Sequence, residues 1–270
     1  MVQGNHPSPV LCHRMTLIDT HAHIYYDDYS ECMDDVIQSA ADNGVEKIIS
    51  IGVDLKSSEK CINLAEKYNS VYATCGYHPH EADKAPKRYL YELEQFYSHP
   101  KVVAIGEIGL DYHYDFSDRK TQRKIYFEQL EMANSLALPA VVHCRKSEDD
   151  ILIGIQESDH VLGVIHCFAS GLDFAEKILE TGFNLSFTGL ITFVKEMEEV
   201  VQEIPLDKMM VETDSPYLSP KPFRGKQNEP AYVLHVAEKI AQLKEISLEE
   251  VAESTTNTAL KLFKKIKTNS

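Results

Sequence analysis

Short runs of apolar and β-branched residues alternate along the chain with longer segments that have the periodicity of amphipathic helices. Eight such runs predict strands, at residues 17–18, 47–53, 71–76, 102–106, 140–143, 161–166, 183–187 and 208–212. Strands that alternate with helices are typical of parallel β/α units. Eight units are the number that closes a barrel. An open doubly wound sheet stays possible at this point, because periodicity does not report closure.

The helical segments carry clear periodicity and capping signals. Apolar positions recur at i, i+3, i+4 and i+7 from Cys61 to Tyr68, after a possible cap at Ser57. The last helix opens at Ser247 with Glu250 three residues later, which is a capping-box pattern. These segments predict helices that pack one face against the sheet.

The length of 270 residues matches one (β/α)₈ barrel of roughly 250 residues, and 43% hydrophobic residues are enough for a large core. No linker rich in Pro, Gly or Ser divides the chain. We therefore predict an α/β fold with a single (β/α)₈ TIM barrel over residues 15–270. Residues 1–14 are expected to be a disordered leader or a cloning remnant, since Met15 directly precedes the first strand.

Charge and cysteine usage narrow the function classes. The net charge of −15 argues against a protein that coats nucleic acid through bulk charge, but not against an enzyme that handles it at one small site. The six cysteines form no C-x-x-C pair, so reduced thiols and a cytoplasmic location are expected. The sequence has no run of about 18 apolar residues, so it predicts no membrane span.

Polar residues that suit metal binding close several of the predicted strands. Because strand side chains alternate, two histidines two positions apart point the same way. Barrel enzymes place their active sites at the strand ends where these residues fall. The six residues, from five strands, are His21, His23, Glu107, His143, His166 and Asp214.

Four imidazoles and two carboxylates exceed the ligand number of one open catalytic ion. They suit two divalent ions about 3.5–4 Å apart that share a carboxylate. We predict Glu107 as the bridge, His21, His23 and Asp214 toward one ion, and the other two histidines toward the second. The ligand types suit Mg²⁺, Mn²⁺, Zn²⁺ or iron without selecting one. Asp214 would orient a water nucleophile or accept its proton.

Basic residues lie where the mouth of the barrel is expected. Arg145 follows a strand, and the long loop 215–228 contains Lys221, Arg224 and Lys226 but no acidic residue. Arginine suits bidentate phosphate contacts, although a solvated loop would also carry such charges. His78 and His80 follow the third strand and would contact substrate or cap the next helix.

Six motifs in order resemble the TatD family of metal-dependent deoxyribonucleases. They are D-T-H-A-H at 19–23, G-Y-H-P-H at 76–80, G-E-I-G-L-D-Y at 106–112, H-C-R at 143–145, H-C-F at 166–168 and E-T-D-S-P-Y-L at 212–218. The resemblance extends from Met15 to about Ile266. It implies an amidohydrolase-like barrel, a cytoplasmic two-metal site and hydrolysis of DNA phosphodiesters, often from the 3′ end of single strands.

By matching position, the resemblance implies the same six metal ligands and, as phosphate contacts, His78, Arg145 and Arg224. The expected partner is therefore DNA bound transiently at single-stranded ends, with no membrane and no obligate protein partner. One alternative is a hydrolase of another ester or amide on the same scaffold, such as a D-aminoacyl-tRNA deacylase or a small phosphoesterase. Another is a metal-binding scaffold without activity.

Overall fold

The computed structural model describes residues 15–158 and 160–267, so the predicted leader lies outside the described residues. Within them, eight strands pair in parallel and in chain order. The strands are β1 (Leu17–Ala22), β2 (Val45–Ile51), β3 (Val71–Cys75), β4 (Val102–Asp111), β5 (Ala140–Arg145), β6 (Gly163–Ile165), β7 (Asn184–Phe187) and β8 (Met209–Val211).

Helices connect the strands and surround the sheet. In the described ranges they are α1 (Met33–Asp42), α2 (Leu55–Lys67), α3 (Tyr89–Tyr97), α4 (Arg119–Leu136), α5 (Glu148–Glu157), α6 (Leu172–Glu180), α7 (Met197–Glu203), α8 (Val233–Lys244) and α9 (Leu248–Leu262). Short 3₁₀ turns lie at Asp27–Tyr29, Pro79–Lys84, Gly189–Thr192, Leu206–Lys208 and Pro230–Tyr232. No helix in the described part of the chain has the length and apolar character needed to cross a membrane.

The sheet closes where β8 returns to β1. Ser215, just beyond β8, forms a parallel bridge with Ala22, and its carbonyl accepts the N–H of His23 at 2.8 Å. The N–H of Asp214 donates to the carbonyl of His21 at 2.9 Å. The predicted (β/α)₈ barrel is thus confirmed, and the open sheet is excluded. With eight strands in order, β4 lies across the barrel from β8.

Alternate strand residues pack in two different cores. Leu17 and Ile48 belong to the large core between strands and helices, whereas their neighbours Ile18 and Ile49 belong to a second cluster. That second cluster gathers residues near the beginnings of the strands and includes Phe263, which follows α9 and is fully buried. The barrel interior is therefore apolar at the end where its strands begin, and the residues of α9 close it.

Two capping predictions have different outcomes. Ser247 caps α9, since its side chain accepts the N–H of Glu250 at 3.2 Å. Ser57 does not cap α2, because the helix begins two residues earlier, at Leu55, with Asp54 as its N-cap. The Asp54 carboxylate accepts the Ser57 N–H at 2.7 Å, and the Ser57 hydroxyl accepts the Asp54 N–H at 2.9 Å. Ser57 is the reciprocal partner in this capping box.

Strand β4 is longer than the apolar run 102–106 predicts and continues to Asp111. Its pairing with β5 shifts register between Ile105 and Ile108. Glycines allow this close pairing: a Cβ on Gly106 would lie 2.7 Å from Cβ of Val141, and one on Gly109 would lie 2.0 Å from the carbonyl oxygen of His143. Gly109 also has φ +134°, which other residues rarely adopt. Glu107 therefore lies within β4, beside the strand that carries His143.

Candidate metal centre

Two histidines and two carboxylates form one half of a buried polar cluster at the strand ends. The Nε2 atoms of His21 and His23 lie 3.3 Å apart. Oε2 of Glu107 lies 3.4 Å from the first and 3.8 Å from the second, and Oδ1 of Asp214 lies 3.7 and 3.5 Å from them. The predicted group of His21, His23 and Asp214 is thus brought together, with one oxygen of Glu107 beside it.

The other oxygen of Glu107 faces the second half of the cluster. Oε1 lies 3.1 Å from Nδ1 of His143 and 2.8 Å from Nε2 of His166. These two ring nitrogens are themselves 3.3 Å apart. The two halves are in contact, since the rings of His21 and His166 stack with centroids 3.9 Å apart. Glu107 thus presents one oxygen to each half, which is the arrangement a bridging carboxylate requires.

The outward nitrogens of three histidines lie beside oxygen acceptors. Nδ1 of His23 lies 3.2 Å from the carbonyl of Ile51, and Nε2 of His143 lies 3.1 Å from Oδ2 of Asp111. Nδ1 of His166 lies 3.3 Å from Oε1 of Glu212. The hydrogen bonds of His23 and His143 hold the proton on the outward nitrogen of a neutral imidazole and leave a lone pair on the inward one.

The inward nitrogens therefore suit a cation. Two imidazole lone pairs that face each other at 3.3 Å repel unless a proton or a metal ion lies between them. Within residues 15–158 and 160–267, three overlapping groups have possible metal-ligand atoms within 4.8 Å of one another: His21, His166 and Asp214; His21, His23 and Glu107; and His78, Glu107 and His143. Imidazole and carboxylate donors suit Zn²⁺, Mn²⁺ and iron, and carboxylates also suit Mg²⁺.

The protonation states of the cluster follow from burial and charge. Burial would raise the pKa of Glu107, but the surrounding His166, His78 and His21 hold that pKa well below its ordinary value. Burial would lower the pKa of His166, but Glu107 and Glu212 raise it well above its ordinary value. Burial, with repulsion from His166, lowers the pKa of His21. The charges of Glu107 and His166 thus favour each other's ionised form.

Asp214 remains ionised at the edge of the cluster. Burial would raise its pKa, but the hydrogen bond with His23 and the charges of His21 and His166 lower it. Its side chain is 14% exposed, so it borders the open mouth and does not lie in the sealed interior. An ionised carboxylate in this position can accept a proton from a water molecule.

His78 lies in the cluster as a hydrogen-bond donor. Its Nδ1 accepts the backbone N–H of His80 at 3.1 Å, so the proton of the neutral ring lies on Nε2, which is 3.4 Å from Oε1 of Glu107. Burial lowers the pKa of His78 to about 4, which keeps the ring neutral. His78 also caps the 3₁₀ turn Pro79–Lys84, as one of the two alternatives from the sequence predicted, and its predicted substrate contact stays a prediction.

The two predicted arginine contacts lie on the rim, outside the histidine cluster. The guanidinium carbon of Arg145 lies 4.7 Å from the ring centroid of Tyr114. That of Arg224 lies 3.9 Å from the ring of Phe193, and its Nη1 donates to the carbonyl of Ser219 at 3.1 Å. Both side chains are exposed and retain unused donors.

Three buried carboxylates that support the site were missed by the sequence reasoning. Asp111 contacts His143, Glu212 contacts His166, and Asp19 accepts the N–H and hydroxyl of Thr213 at 2.9 and 2.6 Å beside Asp214. Burial raises the pKa of Asp19 to about 8. A usable signal existed for Asp111 and Glu212, because both lie at strand ends within the motifs quoted above. Asp111 was missed because the predicted strand ended at residue 106.

A parallel (β/α)₈ barrel with clustered histidines and carboxylates at its strand ends defines the class of amidohydrolase-like, metal-dependent hydrolases. The family model for TatD related DNase matches residues 18–264, so the chain belongs to that family. It is 40% identical to the metal-dependent hydrolase YabD of Bacillus subtilis over 92% of this chain and 99% of YabD.

Solved structures agree with this placement. The chain is similar to the crystal structure of YjjV, a TatD homologue from Escherichia coli, with 30% identity, a TM-score of 0.87 and coverage of 92% of this chain and 98% of that one. It is also similar to a TatD family hydrolase from Entamoeba histolytica, with 28% identity, a TM-score of 0.86 and coverage of 93% and 99%. The resemblance inferred from the motifs is confirmed.

Proposed function

We propose that this hydrolase cleaves DNA phosphodiester bonds, acting from the 3′ ends of single strands with two divalent ions as cofactors. The observation that carries the proposal is the position of Glu107. Its Oε2 lies beside His21 and His23, while its Oε1 lies beside His143 and His166. A single carboxylate between two imidazole pairs suits a pair of ions better than one.

The proposed ligands fall into the two halves of the polar cluster described above. His21, His23 and Asp214 would hold one ion, His143 and His166 the other, and Glu107 both. When bound, such ions lower the pKa of a water molecule and offset negative charge on a phosphoryl oxygen. Mg²⁺, Mn²⁺ and Zn²⁺ all fit the donor types.

The protein's own residues complete the proposed chemistry. Asp214, ionised and at the edge of the mouth, accepts a proton from the attacking water. His78 carries a proton on Nε2 and donates it in a hydrogen bond to a phosphate oxygen. Asp111 holds the imidazole of His143 in orientation through a hydrogen bond, and the carboxylate of Glu212 lies beside His166 as a charge partner.

The choice of DNA rests on the family and on the rim. The matching family model is that of TatD related DNase. Arg145, at the end of β5, and Arg224, on the loop after β8, are exposed at the mouth of a chain whose overall charge is −15. Arginine there offsets phosphate charge locally. The described cysteines are free thiols, which agrees with a reducing, cytoplasmic location.

The test is hydrolysis by purified protein that has been stripped of metal and supplied with Mg²⁺, Mn²⁺ or Zn²⁺. Substrates are 3′-labelled single-stranded DNA, 5′-labelled single-stranded DNA, duplex DNA and a D-aminoacyl-tRNA. We expect metal-dependent release of mononucleotides from the 3′ end, and its loss in Glu107→Gln and His143→Ala. Glu131→Gln, on the exposed side of α4, is the matched control.

Other outcomes would reject the proposal in identifiable ways. Nuclease activity that survives Glu107→Gln would come from a contaminant. Cleavage of the aminoacyl ester alone would assign the barrel to ester hydrolysis. Metal binding without turnover of any substrate would leave a metal-binding scaffold. Metal content per molecule, measured by mass spectrometry, would distinguish one ion from two.

A further inference from the structure

Two large aromatic side chains on the loop after β4 are exposed to solvent and are not part of the buried hydrophobic core. Phe116 is 63% exposed and Tyr114 is 41% exposed. Their ring centroids are 5.4 Å apart, with an angle of 35° between the planes. Exposed aromatic rings that lie together mark binding surfaces more often than single exposed residues do. We call Tyr114, Phe116 and the adjacent Arg145 the aromatic shelf.

The loop that carries the shelf is fastened at both ends. Oδ1 of Asp111 accepts the N–H groups of His113 and Tyr114 at 2.9 and 3.0 Å. The buried amide of Gln122 donates to the carbonyls of Asp111 and Ser117 at 3.1 and 3.0 Å. The backbone that carries the two rings is therefore anchored at both ends of the loop.

The shelf adjoins the metal centre through one histidine. The ring of His80 lies 4.7 Å from that of Phe116 and 5.8 Å from that of Tyr114, measured between centroids. On its other side, His80 lies 4.4 Å from His78 and 6.1 Å from His143. The ring of His80 therefore connects the shelf with His143 of the metal centre.

The positively charged side chain of Arg145 lies beside the two rings. The guanidinium carbon of Arg145 lies 4.7 Å from the ring centroid of Tyr114. An arginine against an aromatic face offers a flat surface for a base and donors for a phosphate at the same point. Tyr26 and Tyr217 form a second aromatic group on the opposite side of the mouth, next to His23. The metal centre therefore lies between two aromatic walls.

We propose that the aromatic shelf stacks an unpaired nucleobase of the substrate strand and thereby selects single-stranded nucleic acid. This assignment rests on the proposed function and adds the part of the substrate that is recognised. Aromatic faces bind any base, since every base has a π-face, so the selectivity is for unpaired bases and not for sequence. In a duplex the same faces are stacked on neighbouring base pairs and are not available to the shelf.

The experiment compares fluorescently labelled oligothymidylate with the same strand made of 5,6-dihydrothymidine. The dihydro base keeps its carbonyl and N–H groups but has a puckered, non-aromatic ring. Dissociation constants are measured by fluorescence anisotropy on the full chain, once with Ca²⁺ and once with EDTA, and hydrolysis with Mn²⁺ is followed in parallel. The variants are Tyr114→Leu with Phe116→Leu, Phe116→Trp alone, and the control Tyr91→Leu.

Stacking on aromatic side chains predicts that the parent binds the thymidine strand about tenfold more tightly than the dihydro strand. This ratio should fall at least about threefold in the double leucine variant and persist in Phe116→Trp. It should also persist in the control variant, because Tyr91 is an exposed tyrosine of α3 outside the described cluster. All variants change exposed side chains, and unchanged thermal unfolding verifies their fold.

Two results would overturn the assignment: equal affinities of the parent for both strands, or an unchanged ratio in the double leucine variant. Absence of hydrolysis together with a preserved affinity ratio would instead reject the proposed function and retain the shelf. The binding and cleavage arms therefore separate the two claims.

Discussion

The two ends of the barrel use the same eight strands in opposite ways. Where the strands begin, Ile18, Ile49 and Val103 pack with Phe263 in a buried apolar cluster. Where they end, histidines and carboxylates lie within hydrogen-bonding distance of one another around Glu107. Apolar burial stabilises the first end, whereas unpaired buried donors and acceptors would destabilise the second unless ions or protons bind there. Stability and function are thus separated along the strand axis.

The largest expected effect is on activity at the mouth. Glu107→Gln keeps the shape of the side chain but removes the negative charge that lies between the two halves of the cluster. We expect kcat/KM to fall by about 10²–10³-fold or more, since charge stabilisation at a reacting centre is lost. Steady-state kinetics on single-stranded DNA would measure this, with Glu131→Gln as the control. A loss below tenfold would contradict a bridging role.

A substitution at the end of the barrel where the strands begin should affect the free energy of unfolding and not the activity. Phe263→Ala removes a fully buried ring, and we expect it to lower the free energy of unfolding by about 3–5 kcal/mol. Phe116→Ala, which removes an exposed ring at the mouth, should change it by less than about 0.5 kcal/mol. Denaturant titration would compare the two. Equal destabilisation by both changes would refute the contrast between the ends.

Metal ions that bind at the mouth of the barrel should stabilise the folded protein. At a concentration 100 times the dissociation constant, an ion adds about 2.7 kcal/mol to the free energy of unfolding. We expect Mn²⁺ to produce this increase in the metal-stripped parent and in Phe263→Ala, but not in the double variant His21→Ala with His143→Ala. Chemical denaturation with and without Mn²⁺ would show it. An increase that persists in the histidine variant would place the ion elsewhere.

A smaller effect is expected from the carboxylates behind the histidines. Asp111→Asn weakens the acceptor of His143 Nε2, and such changes cost about 10–100-fold in metal affinity or activity. Asp115→Asn, on the exposed part of the same loop, is the matched control. Isothermal titration with Mn²⁺ would give the affinities. Equal affinities in both variants would show that Asp111 does not support the site.

The smallest effect should come from the rim. Arg145 is exposed, so solvent screens its contact with a phosphate. We expect Arg145→Ala to raise KM for DNA by about threefold to tenfold and to reduce the salt dependence of binding by about one phosphate contact. Arg88→Ala, whose guanidinium lies 5.1 Å from the ring of Tyr91, is the control. An effect on kcat without one on KM would contradict a binding role.

The fold was predictable because its signals are local. Short apolar, β-branched runs and helical segments between them indicated the β/α units, and polar residues at the ends of the runs indicated the candidate ligands. The prediction that Glu107 ends its strand was wrong. Strand β4 runs on to Asp111, since two glycines allow it to pair closely with β5 through a shift in register. A single apolar pattern does not reveal such a shift.

The supporting residues were less predictable for the same reason. Asp111 was missed because it lies beyond the predicted strand end at Gly106, in a part of β4 that Gly109 interrupts. Ser57 was a plausible cap, but the structure uses Asp54, and both residue types have the same local preference. In each case the choice between adjacent candidates depends on which neighbour reaches the free backbone or side-chain partner.

The amino-acid pattern was sufficient to predict the number of β/α units, the residue types at their ends and the family of the chain. Three features became visible only in the folded barrel: Glu107 offers one oxygen to each histidine pair, His78 presents an N–H, and Tyr114 and Phe116 are exposed beside the site. The two sets of features depend on contacts of different sequence range. Strand and helix periodicity is set by neighbours a few residues apart, whereas these contacts join β1, β4, β5, β6 and the loop after β8 and exist only once the barrel is closed.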